Sequence, residues 1–216
     1  MKKVINKVIL NLCLMVVFCV SFIIGTSTVK AANKRVVGIY RGDFVKGIAY
    51  TGTMTLASNG YTSEMYEDIS LQSFLYELMR SDVIFIHTHG APGLFTFTSS
   101  SRITGNEILS KTVDAKVKLF YLSACQSGKK STTNGNVGTA LLEKGVTSVV
   151  AFQENISAGS DTDGIHRFNS LVVYRLTKGD ILQTALSTAL SQLFAESGGY
   201  YGADSYIIYG DSSLIL

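Results

Sequence analysis

Short apolar runs, separated by polar and glycine-rich segments, recur along the chain and predict the buried strands of a sheet. They predict strands over residues 35–40, 61–66, 83–87, 118–123, 146–152 and 205–209. Apolar residues at helical spacing predict helices over residues 71–79, 104–110, 137–144, 162–176 and 180–195. Because strands and helices alternate, the predicted fold class is α/β: a single domain with a mostly parallel central sheet and helices on both faces.

Three further segments have less regular patterns. Residues 43–58 are punctuated by glycines, and their assignment stays open, with a short helix as one interpretation. Residues 91–102 are rich in Gly, Ser, Thr and Phe, which predicts a hairpin or a loop over the candidate site described below. Residues 126–136 are polar, glycine-rich and basic, which predicts a surface loop.

The first 31 residues have the pattern of a secretory signal peptide. Lysines at positions 2, 3 and 7 precede an apolar stretch over about residues 8–25, and small residues follow. Val29 and Ala31 suit signal peptidase, so we expect cleavage after Ala31, which leaves one domain over residues 32–216. If the apolar stretch stays uncleaved it is long enough to span a membrane, so an N-terminal membrane anchor is the alternative to a secreted or cell-surface protein.

The formal net charge of the whole chain is +3 at pH 7, but the leader contributes four lysines to it and no acid. Subtracting these four charges from +3 leaves −1 for the remaining domain. A charge this small gives no reason to expect a nucleic-acid partner.

The segment LFYLSACQSG, residues 119–128, ends a buried strand with small residues and then a cysteine. Once the leader with Cys13 and Cys19 is set aside, Cys125 is the only cysteine, which excludes an internal disulfide. A thiol just past the carboxyl end of a parallel strand lies where open α/β sheets bind their ligands. Cys125 is therefore either a nucleophile or a small buried apolar residue.

A histidine follows another predicted strand in the same way. The segment DVIFIHTHG, residues 82–90, places His89 and Gly90 directly after an apolar run. If the two strands are neighbours, His89 and Cys125 lie at one edge of the sheet, where an imidazole can activate a thiol. His87 and His89 are two positions apart, which raises a metal site, but no third ligand has convincing spacing. We therefore expect no metal, and expect His87 to point into the sheet or to border the site.

The HTHG and LSACQSG segments, whose histidine and cysteine are 36 positions apart, resemble the caspase-like cysteine peptidase fold and most closely its CHAT branch. That branch has His-Gly after one strand and Ser-Ala-Cys-x-x-Gly after the next. The likeness continues in GTALL at residues 138–142 and GVTSVVA at residues 145–151, and it covers most of residues 83–180. The resemblance implies a cysteine endopeptidase that acts on a protein or peptide substrate and needs no cofactor.

The resemblance also implies a role for each residue of the site. Cys125 is the nucleophile, and His89 is the general acid and base. The backbone amides of Gly90 and Cys125 are the donors of an oxyanion hole.

Some caspase-like peptidases cleave after Arg or Lys and pair the substrate's charge with an acid beyond the next strand. By this resemblance Asp163, Asp161 and Glu154 are the candidate substrate-binding residues. Helix capping is the alternative role of the two aspartates. Ser123 stands where some relatives carry an aspartate, so the preference for a basic residue stays open.

Two other functions are compatible with the same sequence. A catalytically inactive binding or signalling module can keep this fold, and a different acyl-transfer enzyme can use the same His–Cys pair. Lys129 and Lys130 are either solvated loop residues or a dibasic self-cleavage site of the kind that relatives have.

Overall fold

A computed structural model describes residues 34–98, 100–159 and 163–216, with the side chains of all of these except residues 43–45. The expected signal peptide and its cleavage site lie outside the described residues. No helix in the described ranges is long and apolar enough to cross a membrane.

Nine strands are present in these ranges: β1 (Arg35–Tyr40), β2 (Thr62–Glu67), β3 (Val83–His87), β4 (Gly90–Ala91), β5 (Leu94–Thr96), β6 (Arg102–Thr104), β7 (Leu119–Ser123), β8 (Ser148–Phe152) and β9 (Tyr206–Gly210). The α-helices are α1 (Asp43–Ala57), α2 (Leu71–Arg80), α3 (Gly105–Ser110), α4 (Val137–Glu143), α5 (Gly164–Thr177) and α6 (Leu182–Ser197). A 3₁₀ turn spans Ala203–Ser205.

The central sheet has the strand order β2–β1–β3–β7–β8–β9. Each neighbouring pair from β2 to β8 is parallel, and β9 pairs antiparallel with β8. Helices α1, α5 and α6 cover one face, while α2, α3 and α4 cover the other together with the small sheet β4–β5–β6. The α/β class, the single domain and the mostly parallel sheet predicted from the sequence are therefore confirmed.

The glycine-punctuated segment that the sequence pattern left open forms the long helix α1. Gly47 lies against the ring of His166 on α5, and Gly52 lies against the ring of Phe85 on β3. The two glycines let the helix pack closely on its neighbours. Their small size therefore serves packing, although it also weakens the apolar pattern from which a helix is predicted.

The segment after β3 forms a hairpin, as one of the two interpretations of its sequence predicted, and β6 extends the hairpin to three strands. Its apolar residues do not cover the candidate site. Phe95 and Phe97 are buried on the α2 face of the central sheet, with ring centroids 5.8 and 4.9 Å from that of Phe74. The hairpin therefore completes the core on that face, and only its first residues approach the end of β7.

A buried carboxylate ties α2 to the first two strands. Glu77 is 1% exposed and accepts hydrogen bonds from Arg35, Arg80, Ser81 and Tyr66. Burial by itself would raise the pKa of Glu77, but these hydrogen bonds outweigh it and lower the pKa to about 2. Glu77 therefore stays ionised and holds the cluster together at neutral pH.

Helix α6 begins without a side-chain cap. The backbone amides of Leu182 and Gln183 instead donate to the carbonyls of Leu214 and Ser212, at 2.9 and 3.0 Å. These carbonyls satisfy amides that a helix start leaves without an intrahelical partner. The segment that follows β9 thus completes the first turn of α6.

Candidate active site

The two strands that precede the candidate residues are neighbours in the central sheet. Strands β3 and β7 pair in parallel, with His87 opposite Ser123 at their carboxyl ends. His89 and Cys125 each follow two positions later, so the backbone delivers both to the same edge of the sheet. The adjacency of the two strands, which the sequence argument required, is confirmed.

His89 and Cys125 line one pocket of about 170 Å³ at this edge. His89 is exposed, and Cys125 is half-buried. The pocket lies on the α1 and α5 face, and the other described residues that line it are Ile48, Thr88, Ser123, Ile156, Ala158 and Ile165. A thiol and an imidazole therefore border the same solvent-accessible cavity, which is the arrangement that thiol activation requires.

The thiol of Cys125 donates to the backbone carbonyl of Ile156, with the sulfur and the oxygen 3.7 Å apart. Ile156 belongs to the segment that follows β8, and neighbouring backbone bonds anchor this segment. The amide of Ser157 donates to the carbonyl of Tyr201 at 3.0 Å, and the amide of Ile165 donates to the carbonyl of Ser157 at 2.9 Å. One wall of the pocket is therefore tied both to α5 and to the turn before β9.

Gly90 allows the hairpin backbone to approach the end of β7. A Cβ atom at this position would lie 2.7 Å from the carbonyl oxygen of Cys125 and 2.8 Å from the Cβ of Ala124, both too close for any side chain. In the ladder between β4 and β5, the amide of Thr96 donates to the carbonyl of His89, so the next pair, which contains Gly90, is a non-hydrogen-bonded pair. The amide of Gly90 therefore points away from its partner strand.

The amide of Cys125 donates to no protein acceptor among the described residues. The next residue, Gln126, has a φ of 53°, which is an uncommon backbone conformation for a residue with a side chain. Its amide donates to the carbonyl of Glu154 at 3.0 Å, and that of Gly128 donates to the carbonyl of Phe152 at 2.9 Å. These hydrogen bonds hold the turn after Cys125 against the end of β8 and so fix the backbone position of Cys125.

A chain of buried polar side chains lies beneath the pocket, and it was not predicted from the sequence. The hydroxyl of Tyr121 donates to Oδ1 of Asn169 at 2.6 Å, and Nδ2 of Asn169 donates to Oγ of Ser123 at 2.9 Å. Asn169 is 4% exposed on α5. The sequence did contain a signal for this chain. The side-chain amide of Asn169 stands among apolar residues of a predicted helix, and a buried polar side chain needs hydrogen-bond partners.

His87 points into the core, which was one of the two placements expected for it. It is 1% exposed, and its ring lies nearly parallel to that of Phe85 and is tilted relative to that of Tyr121. Burial, with a smaller contribution from His166, lowers the pKa of His87 to about 3, so the ring is neutral at physiological pH. Neither ring nitrogen has a hydrogen-bond partner within the described part of the chain. No three His, Cys, Asp or Glu side chains there lie close enough together to hold a metal ion.

The candidate substrate-binding acids do not line the pocket where they can be described. Glu154 is exposed and pairs with Lys129 at 3.4 Å. Asp163 directly precedes α5, but its carboxylate makes no capping hydrogen bond with that helix. Asp161 lies outside the described residues. The surface position predicted for Lys129 and Lys130 is confirmed, since both are exposed.

These features define the class of the molecule: a caspase-like α/β domain with a cysteine and a histidine at one sheet edge. Two solved structures share the fold at 12% sequence identity. One is the structure of a protease, with a TM-score of 0.59. The alignment covers 85% of this chain and 48% of that protease. The second is caspase-1 from Spodoptera frugiperda, with a TM-score of 0.52, covering 82% of this chain and 85% of the other. The chain thus spans about half the length of the first structure.

The family is more specific than the fold. The model of the CHAT domain family matches residues 45–201, which is well over half of the chain, and the chain therefore belongs to this family. Among curated proteins, none matches the sequence. The caspase-like fold and the CHAT family inferred from the two motifs are both confirmed.

Proposed function

We propose that this chain is an exported cysteine endopeptidase that uses His89 and Cys125. The observation that carries the proposal is that both side chains line one pocket at the carboxyl edge of two neighbouring parallel strands. Membership of the CHAT family and the likeness to a protease and a caspase support the same class of reaction. The substrate is a protein or peptide.

In the first half of the reaction His89 takes the thiol proton, and the sulfur of Cys125 attacks the carbonyl carbon of the scissile bond. The tetrahedral intermediate collapses to a thioester as the C–N bond breaks, and His89 gives its proton to the departing amine. In the second half His89 deprotonates a water molecule, which attacks the thioester and releases the carboxylate product. Cys125 recovers its proton from His89, so one water is consumed for each bond cleaved.

The amides of Gly90 and Cys125 are proposed to stabilise the negative oxygen of each tetrahedral intermediate. Two observations support this role: the non-hydrogen-bonded position of Gly90 in its ladder and the unused amide of Cys125 in the described structure. Removal of one such donor typically lowers kcat about 10²- to 10³-fold.

Labelling of the cysteine tests the proposal directly. We expect a peptidyl acyloxymethyl ketone or epoxide to modify the protein once, at Cys125, and to abolish turnover of a fluorogenic peptide library. Cys125→Ala should lose both labelling and turnover while keeping its unfolding midpoint, because alanine leaves little cavity at this half-buried position. A Cys125→Ala protein that still cleaves peptides would refute the nucleophile assignment. Folded wild-type protein that is inert to every probe and peptide would favour the binding module.

Two histidine variants test whether His89 is the general acid and base. They distinguish a catalytic role of His89 from the effect of removing any histidine near the site. His89→Ala should lower kcat about 10²- to 10⁴-fold. His166→Ala is the matched control, since His166 does not line the pocket, and its kcat should stay within a few-fold of wild type. Equal losses in the two variants would contradict the assignment of His89.

Export is a separate part of the proposal. The protein recovered from the culture medium should begin at Ala32 by mass spectrometry, because Val29 and Ala31 suit signal peptidase. Ala31→Asp should block cleavage and retain the protein in the membrane fraction. Full-length wild-type protein found only in the membrane fraction would support the N-terminal anchor instead.

A further inference from the structure

The pocket beside Cys125 is sized for a single side chain. Its volume of about 170 Å³ is below the range of roughly 300–1,000 Å³ that holds drug-sized ligands. Because Cys125 is itself a lining residue, a carbonyl positioned for attack by its sulfur stands at the pocket mouth. The side chain nearest that carbonyl belongs to the same residue, so the pocket receives the side chain directly before the scissile bond, the P1 side chain.

The described residues that form the walls of the pocket are apolar. Ile48 on α1 and Ile165 on α5 are each 2% exposed, and Ile156 and Ala158 after β8 lie in the same wall. Burying an apolar P1 side chain against these residues is favourable, at roughly 25 cal/mol for each Å² removed from water.

The described residues of the floor are polar but uncharged. Ser123 is 3% exposed, and its hydroxyl oxygen accepts a hydrogen bond from Asn169, so its own proton remains available as a donor. Thr88 contributes a second hydroxyl, which is already hydrogen-bonded to Thr96. One neutral donor does not offset a buried charge, which requires an opposite charge or a full set of hydrogen bonds.

No acid and no Lys or Arg of the described residues lines this pocket. Glu154 is turned to solvent with Lys129, and Asp163 lies outside the lining. Resting on the proposed function, we infer that the peptidase cleaves after an uncharged residue with a largely apolar side chain, of about the size of leucine or methionine, rather than after Arg, Lys or Asp. It follows that Lys129 and Lys130 are not a self-cleavage site.

A peptide library that varies only the P1 residue tests this inference on the mature protein. We expect kcat/KM for Leu and Met to exceed that for Arg, Lys and Asp by about 100-fold or more, since a buried unpaired charge costs at least that factor. Glutamine should rank between them, because Ser123 can donate to its terminal oxygen. The controls Glu154→Gln and Asp163→Asn should leave this ranking unchanged.

Two substitutions, each of which adds a carboxylate to the pocket, should change its preference from an apolar to a basic P1 residue. Ser123→Asp places a carboxylate on the floor, and should raise kcat/KM for Arg and Lys relative to Leu about 100-fold or more. Ala158→Asp places one on the half-buried wall and serves the same purpose if the charge beside Asn169 prevents folding of the first variant. Each variant is first checked for labelling of Cys125, so that loss of the fold is not read as a change of preference.

Failure of the inference and failure of the proposed function give different results. Wild-type protein that is labelled at Cys125 but prefers P1 Arg or Lys overturns the inference and keeps the enzyme. Loss of that basic preference in Asp161→Asn would then identify Asp161 as the acid that pairs with the substrate. A preference for P1 Asp overturns the inference equally. Folded protein with neither labelling nor turnover overturns the proposed function and the inference together.

Discussion

Gly90→Ala tests how closely the hairpin must approach the cysteine. The added Cβ would lie 2.7 Å from the carbonyl oxygen of Cys125 and 2.8 Å from the Cβ of Ala124, whereas ordinary contacts begin at 3.4 Å. The two backbone segments must therefore separate by about 0.6–0.7 Å. A shift of about 1 Å at a reacting centre costs roughly 100-fold in rate, so we expect kcat/KM to fall about 10- to 100-fold.

The same variant should lose about 1–3 kcal/mol of stability, which is typical of an overpacked site. The assay combines kcat/KM on the preferred peptide, the rate of alkylation of Cys125 by iodoacetamide, and urea unfolding. Alkylation does not use backbone donors for an oxyanion, so its rate should change less than peptide turnover.

Gly52→Ala is the matched control, because the atoms nearest to its added Cβ would be those of the Phe85 ring, at an ordinary 3.5 Å. Alanine is also the better helix former, so this variant should be as stable as wild type or up to about 1 kcal/mol more stable. Turnover should be unchanged. A folded Gly90→Ala protein with wild-type kcat/KM would refute the argument that the backbone approach at Gly90 belongs to the site.

Three predictions concern buried polar groups. Glu77→Gln should lower the free energy of unfolding by about 3 kcal/mol at pH 7, because the folded-state pKa of Glu77, about 2, lies below the usual 4.5. This difference between variant and wild type should vanish as the pH falls from 4.5 to 2. A difference that does not depend on pH would contradict the prediction. Wild-type protein should lose about 3 kcal/mol between pH 7 and 4.5 because unfolding lets His87 take up a proton, and His87→Phe should lack this loss in urea unfolding at the two pH values. Asn169→Leu should lower the free energy of unfolding by about 2–4 kcal/mol, because it leaves the hydroxyls of Tyr121 and Ser123 buried and unpaired. Adding Tyr121→Phe to this variant should restore part of the lost stability. If the costs of the two substitutions are fully additive, the network is refuted.

The parts of the fold that the sequence predicted well are those that short-range patterns determine. Apolar runs located the strands, and apolar residues at helical spacing located the helix that follows Ser70, whose hydroxyl accepts a hydrogen bond from the amide of Ser73. The meeting of His89 and Cys125 at one edge followed from a property of parallel sheets, because all strands present their carboxyl ends to the same side. Neither inference required any knowledge of side-chain packing.

The pocket depends on contacts that no local pattern contains. Ile48 and Ile165 line the same pocket but are more than 100 positions apart in the sequence. Ile48 also lies in residues 43–58, where glycines interrupt the apolar pattern from which a helix is predicted. The acids that follow the strand next to the cysteine strand were the candidates for substrate binding. Strand order alone does not decide which side chains after β8 face the cavity, and the structure turns Glu154 away from it.

The capping of α6 by Leu214 and Ser212 has a consequence for the nascent chain. The first turn of this helix is completed by carbonyls about thirty positions further along, so it stays incomplete until those residues have left the ribosome. Strand β9 emerges in the same interval, and it is the strand that closes the edge of the sheet beside β8. Folding during synthesis therefore leaves the edge of the sheet at β8 open until residues 206–214 have emerged, and a ribosome-bound chain stalled before Ser212 should be cut within α6 by a protease that spares the released protein.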